Sequence, residues 1–461
     1  MPVSDWLPPA LDYVDQWLGF QMRLSEQPGC AIAVARQGEV VMEQAFGLAD
    51  VPSGTGLLPR HRFRVASHSK TFTAAAIMRL REQERVGLDD PVGRYVAGLS
   101  AALAEATLGQ LLSHSAGLMR DGTDSGHWQD RQPFLDEAGL RAELAHELVL
   151  ESGERLKYTN LGFGLLGLVI ASVTGERFGE WMVREITGMA GLAETAPDLP
   201  AANAAPLATG HAGRLPLGRM AIPGHNPTRA LAAATGFVAT AADIARFFGQ
   251  LDPAVSNSIL STASRREMTR PHWRIPGMEA ERHYGLGTIC GSTNGHLFFG
   301  HTGSFQGFQS RTCVVPDWSI SLSVLTNAVD GPAGAWTDGV LHILNRFAEA
   351  GPPNPAVMGW TGRWWSVWGA TDLVPMGDKV MLSAPGLLAP FTDASELSVS
   401  SAEEGRIARA SGFGSHGEPV RRTLGSDGNA TAIRLGGTEL LSESTFAAEF
   451  MARMKDYSTR Q

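Results

Sequence analysis

Phe63-Arg64-Val65-Ala66-Ser67-His68-Ser69-Lys70 runs directly into Thr71-Phe72-Thr73-Ala74-Ala75-Ala76-Ile77-Met78-Arg79-Leu80. The first half reads as extended chain. The second reads as a helix, because Phe72, Ala75, Ala76 and Leu80 recur near a 3.6-residue period among good helix formers. Ser67 marks the switch. Serine at a helix start satisfies orphan backbone N–H groups, but Lys70 adds a second meaning. Three residues on, it shares the helix face of Ser67, so its amine can reach the hydroxyl. A serine is a weak nucleophile until a base takes its proton, and a desolvated lysine can be that base. Ser-x-x-Lys recurs by chance in chains of this length, so the reading needs partners elsewhere.

The 461 residues are 43% hydrophobic and 18% charged, a globular balance with length for two or three domains and a large core. A net charge of -9 and the lack of a basic run argue against nucleic acid as the partner. Cys30, Cys290 and Cys313 lie in apolar stretches without metal-ligand spacing, which reads as buried thiols. Neither a metal nor another cofactor is implied. Met1-Pro2-Val3-Ser4-Asp5-Trp6 does not open a basic region, an apolar core and a small-residue cleavage site. No apolar run approaches the roughly 20 residues of a membrane span. A cytoplasmic chain without a membrane segment is expected.

Around Ser67 the chain alternates strand and helix signals. Leu11, Val14, Trp17, Leu18 and Met22 give residues 11–24 a helical face. Residues 30–35 and 40–46 form a hairpin turning at Gln37-Gly38. Helical spacing recurs over 108–112, 134–148, 161–174, 178–189 and 241–251. Residues 198–229, rich in Pro, Gly and Ala, read as a long loop over the surface or the site. Strands are expected over 296–299, 308–315 and 320–326, then an apolar helix over 336–348. Two strands early and three late predict one antiparallel sheet, with helices from the termini on one face and a helical lobe on the other. Gly351-Pro352-Pro353-Asn354-Pro355 is the clearest linker. Domains are therefore expected over 1–350 and 351–461, the second a small β-barrel or sandwich with a closing helix over 443–454.

Two further stretches supply partners for Ser67. Tyr158-Thr159-Asn160 stands at the entry to the 161–174 helix. A phenol beside an amine can exist partly as phenolate or relay a proton to a leaving group, and an asparagine offers donor and acceptor to a substrate amide. Taken alone, Asn160 suits a plain helix cap. His301-Thr302-Gly303 follows the 296–299 strand, with Ser304 next. A strand beside a nucleophile can present N–H groups to an oxyanion, and glycine permits close approach.

Ser-x-x-Lys, Tyr-x-Asn and His-Thr-Gly, in this order and at these separations, resemble class C β-lactamases and their relatives. Those relatives include serine DD-peptidases, D-aminopeptidases and β-lactamase-fold esterases. Phe63-Arg64-Val65-Ala66-Ser67, Leu111-Leu112-Ser113-His114-Ser115-Ala116-Gly117-Leu118 and Ala234-Thr235-Gly236-Phe237-Val238-Ala239-Thr240 support the resemblance over about residues 11–350. It implies an α+β, β-lactamase-like fold: an antiparallel sheet flanked by helices, with a helical lobe. By the same resemblance Ser67 is the nucleophile, Lys70 its base and Tyr158 the proton relay, while Asn160 holds the substrate amide and orients Lys70. The Ser67 and Ser304 N–H groups would form the oxyanion hole beside Gly303. His301 stands where the lactamases usually carry lysine.

The expected chemistry is two-step acyl transfer on a small molecule or short peptide. An intracellular esterase, amidase or D-amino-acid peptidase is favoured. A β-lactamase or DD-carboxypeptidase is disfavoured by the missing export signal and by His301, since a carboxylate substrate gains from a fixed charge there. An acyltransferase and a non-catalytic penicillin-binding-like module remain as alternatives. The tail resembles the lipocalin-like C-terminal domains of some relatives, and is expected to restrict access or to support a homo-oligomer. Other matches carry less. Gly412-Phe413-Gly414-Ser415-His416-Gly417 lacks a βαβ setting, and no Gly-x-Ser-x-Gly elbow exists. His114 reads as a structural residue closing a helix. Asn429-Ala430-Thr431 is a glycosylation sequon without an export signal. Trp360, Trp364, Trp365 and Trp368 read as packing residues rather than a ligand pocket.

Overall fold

Seven of the eight residues of β1 (Gly29–Arg36) are buried, as expected of a strand covered on both faces. Gln37 and Gly38 both take left-handed φ values, 53° and 84°, the geometry that a tight hairpin turn requires. The chain returns as β2 (Glu39–Asp50) and adds β3 (Thr55–Gly56). The remaining strands come late: β4 (Trp273–Arg274), β5 (Arg282–Tyr284), β6 (Ile289–Thr293), β7 (His296–Phe305), β8 (Phe308–Val315) and β9 (Ile320–Thr326). They form one nine-stranded sheet in the order β3-β2-β1-β9-β8-β7-β6-β5-β4. Antiparallel pairing of β1 with β9, Ile32 opposite Val324, joins the early hairpin to the late strands. The computed structural model describes residues 2–200, 205–216, 218–224 and 226–459.

Five strands of this sheet are legible in the sequence, and four short ones are not. Two- to five-residue strands such as β4 and β6 are too brief to show alternation. β7 also runs six residues past the expected 296–299, so His-Thr-Gly lies within the strand rather than at its end. Gly300 hides this continuation, since glycine weakens a strand signal. A Cβ there would lie 1.9 Å from the Thr312 carbonyl oxygen.

Helix α2 (Ser69–Glu82) is buried on nearly every side, beside α3 (Leu108–Leu112) and α4 (Asn160–Thr174) in the helical lobe. Thr159, not Asn160, caps α4, accepting from the Gly162 N–H at 3.1 Å. The helix expected over 134–148 is shorter (Glu137–Leu144) because Asp136 caps it by accepting from Gly139 N–H. That expected over 178–189 is α-helical only over Phe178–Met182 and continues as one π turn. Helix α5 (Ala241–Gln250) packs Ile244, Phe247 and Phe248 into the core and contacts β1, β2, β8 and β9. Within the 198–229 loop, Gly210–His211 pairs with Ala221–Ile222; its residues 201–204, 217 and 225 lie outside the described residues.

By its contacts the chain divides into Gln27–Thr337 and a second unit, Met1–Glu26 with Asp338–Gln461. The second unit therefore takes in α1 (Val3–Ser25), most of α6 (Ala333–Ala350) and α7 (Glu443–Thr459). Those first two are the terminal helices expected on the sheet. Eight antiparallel strands from β10 (Gly362–Ser366) to β17 (Thr438–Leu441) close a barrel, Trp365 pairing with Leu441. Trp360, Trp364, Leu373, Val380, Leu397 and Ile433 belong to its core. Trp368, at 91% exposure on the hairpin tip, does not pack as expected.

Candidate active site

The turn that carries Ser67 is clamped from behind by a second serine. Ser69 Oγ donates to the Ala66 carbonyl at 2.6 Å and accepts from the Phe237 N–H at 3.0 Å. Between them Ala66 is held at φ 50°, a left-handed conformation that a residue with a Cβ adopts only under constraint. One 3₁₀ turn (Ala66–His68) leads into α2, and Lys70 enters the core at 0% exposure.

The three motifs converge. Tyr158 Oη donates to Ser67 Oγ at 2.8 Å, and Lys70 Nζ lies 3.2 Å from the same oxygen. Lys70 Nζ also donates to Asn160 Oδ1 at 2.7 Å and to the Ala234 carbonyl at 2.9 Å. Asn160 is oriented in turn, its Nδ2 donating to Asp121 Oδ1 at 2.6 Å, while Trp128 Nε1 holds the same oxygen at 2.8 Å. A cleft of about 620 Å³ is lined by Ser67, Tyr158, Asn160, His301, Gly303 and Ser304. Lys70, the remaining candidate, is fully buried. Ser304 Oγ accepts from Gln309 Nε2 at 2.9 Å.

Burial sets the protonation states. Desolvation, against a raising influence of Asp121, brings the Lys70 amine well below the ordinary lysine range. A neutral amine has two N–H bonds and one lone pair. Asn160 Oδ1 and Ala234 O take the two N–H bonds, leaving the lone pair for the Ser67 hydroxyl proton. Desolvation raises the Tyr158 phenol above its ordinary value, so it keeps its proton and the phenolate alternative is disfavoured. His301 is also neutral. Buried at 2% exposure, with Nε2 3.0 Å from Tyr284 Oη, it titrates well below the ordinary imidazole value because of desolvation. No fixed charge stands in its place.

His68 and His114 share that state. His114 lies under Tyr158, ring centroids 4.1 Å apart, and accepts from the Thr159 N–H at 3.2 Å, which supports the phenol's position. His68 Nε2 is 2.9 Å from Thr312 Oγ1, and desolvation lowers its pKa from 6.5 to about 4. Between those values the unfolded chain binds a proton that folded His68 does not. Stability must therefore fall as pH drops from 6.5 towards 4, by up to about 1.4 kcal/mol per pH unit for this residue. Melting curves of the wild type and a His68→Asn variant at pH 7, 5.5 and 4.5 check this. The variant should lose less on acidification, and parallel losses would count against the assignment.

Gly303 permits the strand to approach the nucleophile turn. A Cβ there would lie 2.3 Å from the Val65 carbonyl oxygen, 2.4 Å from Ser310 Oγ and 3.1 Å from His68 Nδ1. Gly303→Ala must push β7 from the Ser67 turn, and a shift of about 1 Å at a reacting centre costs about 100-fold. The rate of Ser67 labelling by a fluorophosphonate should fall accordingly. Full labelling speed would show that the contact is dispensable.

Sequence reasoning missed Asp121, Trp128 and Tyr284. Asp121 lies three residues beyond the recognised 111–118 stretch, and its carboxylate beside a basic neighbour, Arg120, was the available signal. Tyr284 sits in the three-residue strand β5, with no pattern to place it next to His301.

The profile of the Beta-lactamase family matches residues 19–344. Protein flp of Staphylococcus aureus is 27% identical over 173 residues, 37% of this chain. That match spans about a third of the relative's length, 34%. Among solved structures, the octameric penicillin-binding protein homologue from Pyrococcus abyssi superposes with TM-score 0.66 at 21% identity, over 94% of this chain and 100% of that one. D-amino acid amidase from Ochrobactrum anthropi SV3, complexed with D-phenylalanine, does so with TM-score 0.62 at 22% identity, over 73% and 99%. These two likenesses are of fold. With a family profile covering well over half of it and the Ser67 cluster inside that span, the chain belongs to the Beta-lactamase family.

Proposed function

We propose that this chain is a serine hydrolase that forms an acyl-enzyme on Ser67 and cleaves a small amide, ester or short peptide built on a D-amino acid. The observation that carries it is the single proton path from Tyr158 Oη through Ser67 Oγ to a buried amine whose two hydrogens are already committed. Ser67 gives its proton to Lys70 as its oxygen attacks the carbonyl carbon. The developing oxyanion is met by the Ser67 and Ser304 N–H groups. As the tetrahedral intermediate collapses, Tyr158 protonates the leaving nitrogen or oxygen and recovers a proton from the Lys70 ammonium, which lies 4.8 Å from its ring centre. Water then enters where the leaving group stood, and the same groups return its proton as the acid departs.

Two features support the substrate class. Neutral, buried His301 offers no salt bridge to a carboxylate, which suits an amide or ester better than an acid-bearing antibiotic. The amidase neighbour was solved with D-phenylalanine. D-alanine p-nitroanilide, its L enantiomer, p-nitrophenyl acetate and nitrocefin, compared by kcat/KM, test the reading. A D over L preference of about 100-fold or more is expected, equivalent to about 2.7 kcal/mol of discrimination. Turnover of nitrocefin alone would assign the site to β-lactams instead.

A further inference from the structure

Cations on the outward faces of the barrel strands pair with carboxylates. Arg363 makes two bonds to Asp372, at 2.7 and 2.8 Å, and Lys379 and Arg409 share Glu396. Arg422, on the strand Pro419–Leu424 whose alternation turns it inward after Val420, pairs with no carboxylate among the described residues. It is 9% exposed. Its guanidinium carbon lies 4.8 Å from the centre of the Trp360 ring, and Nη1 donates to the Gly359 carbonyl. Nε is buried without a partner. Trp360 is itself fixed, its Nε1 donating to the Ser401 carbonyl at 3.3 Å.

Beside this group opens a cavity of about 520 Å³, lined by Arg422 with Trp360, Trp364, Ala430, Ile433 and Asn429. Trp364 Nε1 is a second buried donor without a partner. An unpaired cation out of water is unfavourable unless something returns its lost solvation. Stacking and the Gly359 bond account for one face and one N–H of the guanidinium. They leave the Nε edge of a fork whose geometry matches a carboxylate.

We propose that the barrel mouth binds a small monocarboxylate with an apolar body, its carboxylate on Arg422 and its body against Trp364, Ala430 and Ile433. The site lies in the barrel unit and uses none of the residues around Ser67. Arg422 fixes the sign of the ligand's charge, and the indoles with Ile433 set its apolar character.

Isothermal titration of the full chain with 3-phenylpropionate and with 3-phenylpropanol tests this. Saturable binding of the acid is expected, at least tenfold tighter than the alcohol. Arg422→Met should weaken it at least tenfold, and Ser67→Ala should leave it unchanged. Equal binding of acid and alcohol, no binding of either, or undiminished binding by folded Arg422→Met would overturn the proposal. Loss of binding in Ser67→Ala would also overturn it, placing the acid in the catalytic cleft. Where Arg422→Met does not fold, the acid–alcohol contrast on the wild type decides, with Arg422→Lys as the second variant.

Discussion

Ser67→Ala is expected to fold and to lose kcat/KM by a factor on the order of 10⁶, the scale on which removing a nucleophile disables a serine hydrolase. The substitution deletes one oxygen from a turn whose shape is held by other groups. Ser69 Oγ clamps the Ala66 carbonyl and the Phe237 N–H, and neither bond involves Ser67. Thermal stability should therefore change little. Chemistry should vanish because the oxygen on which Tyr158 and Lys70 converge is gone. Mass spectrometry after fluorophosphonate treatment should show one adduct in the wild type, on the peptide containing Ser67, and none in the variant. Combining Ser67→Ala with Lys70→Met should cost no more than Ser67→Ala alone, since base and nucleophile act as one unit. Persistent turnover by folded Ser67→Ala would move the reaction to another residue.

How far the sequence reaches depends on the kind of interaction that fixes each residue. Ser67 and Lys70 are three apart on one helix, so local geometry suffices to pair them. Strand β1 is legible as the apolar run Cys30 to Ala35, and β9 by the alternation of Ile320, Leu322 and Val324 with serines. Tyr158 and Asn160 are legible as residue types at a helix entry, but the resemblance is what ties them to Ser67 and Lys70, since 91 and 90 residues of chain separate them from the groups they touch. The threonine cap explains their roles better than the sequence does. With Thr159 closing α4, the Asn160 amide is free to bridge Lys70 and Asp121. A reader of the sequence expects asparagine to be the cap. Asp121 and the Ala234 carbonyl leave still less trace. One is a carboxylate in a loop, and the other is a backbone atom that any residue could supply. His301 is visible as a residue type, while its neutrality follows only from burial against Tyr284. That α1 belongs with the barrel unit is equally hidden, because an amphipathic face does not specify what it packs against.

Lys70→Met should lower kcat by about 10³- to 10⁴-fold, the upper range for losing a positioned general base, and should also change two pH dependences. Methionine matches the lysine stem in length and apolar volume, so the buried channel stays filled. In the wild type the acyl-transfer rate depends on the neutral amine. Burial lowers the Lys70 pKa, so activity persists at neutral pH and declines when acid protonates the amine. The residual activity of Lys70→Met should lack that acid limb. Stability moves in the same direction. The unfolded lysine holds its proton up to 10.5, whereas the folded one has already released it. Across the interval between the folded and unfolded values the unfolded state binds more protons, so wild-type stability rises with pH. Lys70→Met removes this slope, although it leaves Asn160 Oδ1 and the Ala234 carbonyl without their donor. Melting temperatures between pH 7 and 9 should climb in the wild type relative to the variant, after correction for groups common to both. If the two proteins follow parallel curves while the acid limb of activity survives in Lys70→Met, the neutral amine is not the base, and the proton of Ser67 must leave through Tyr158 instead.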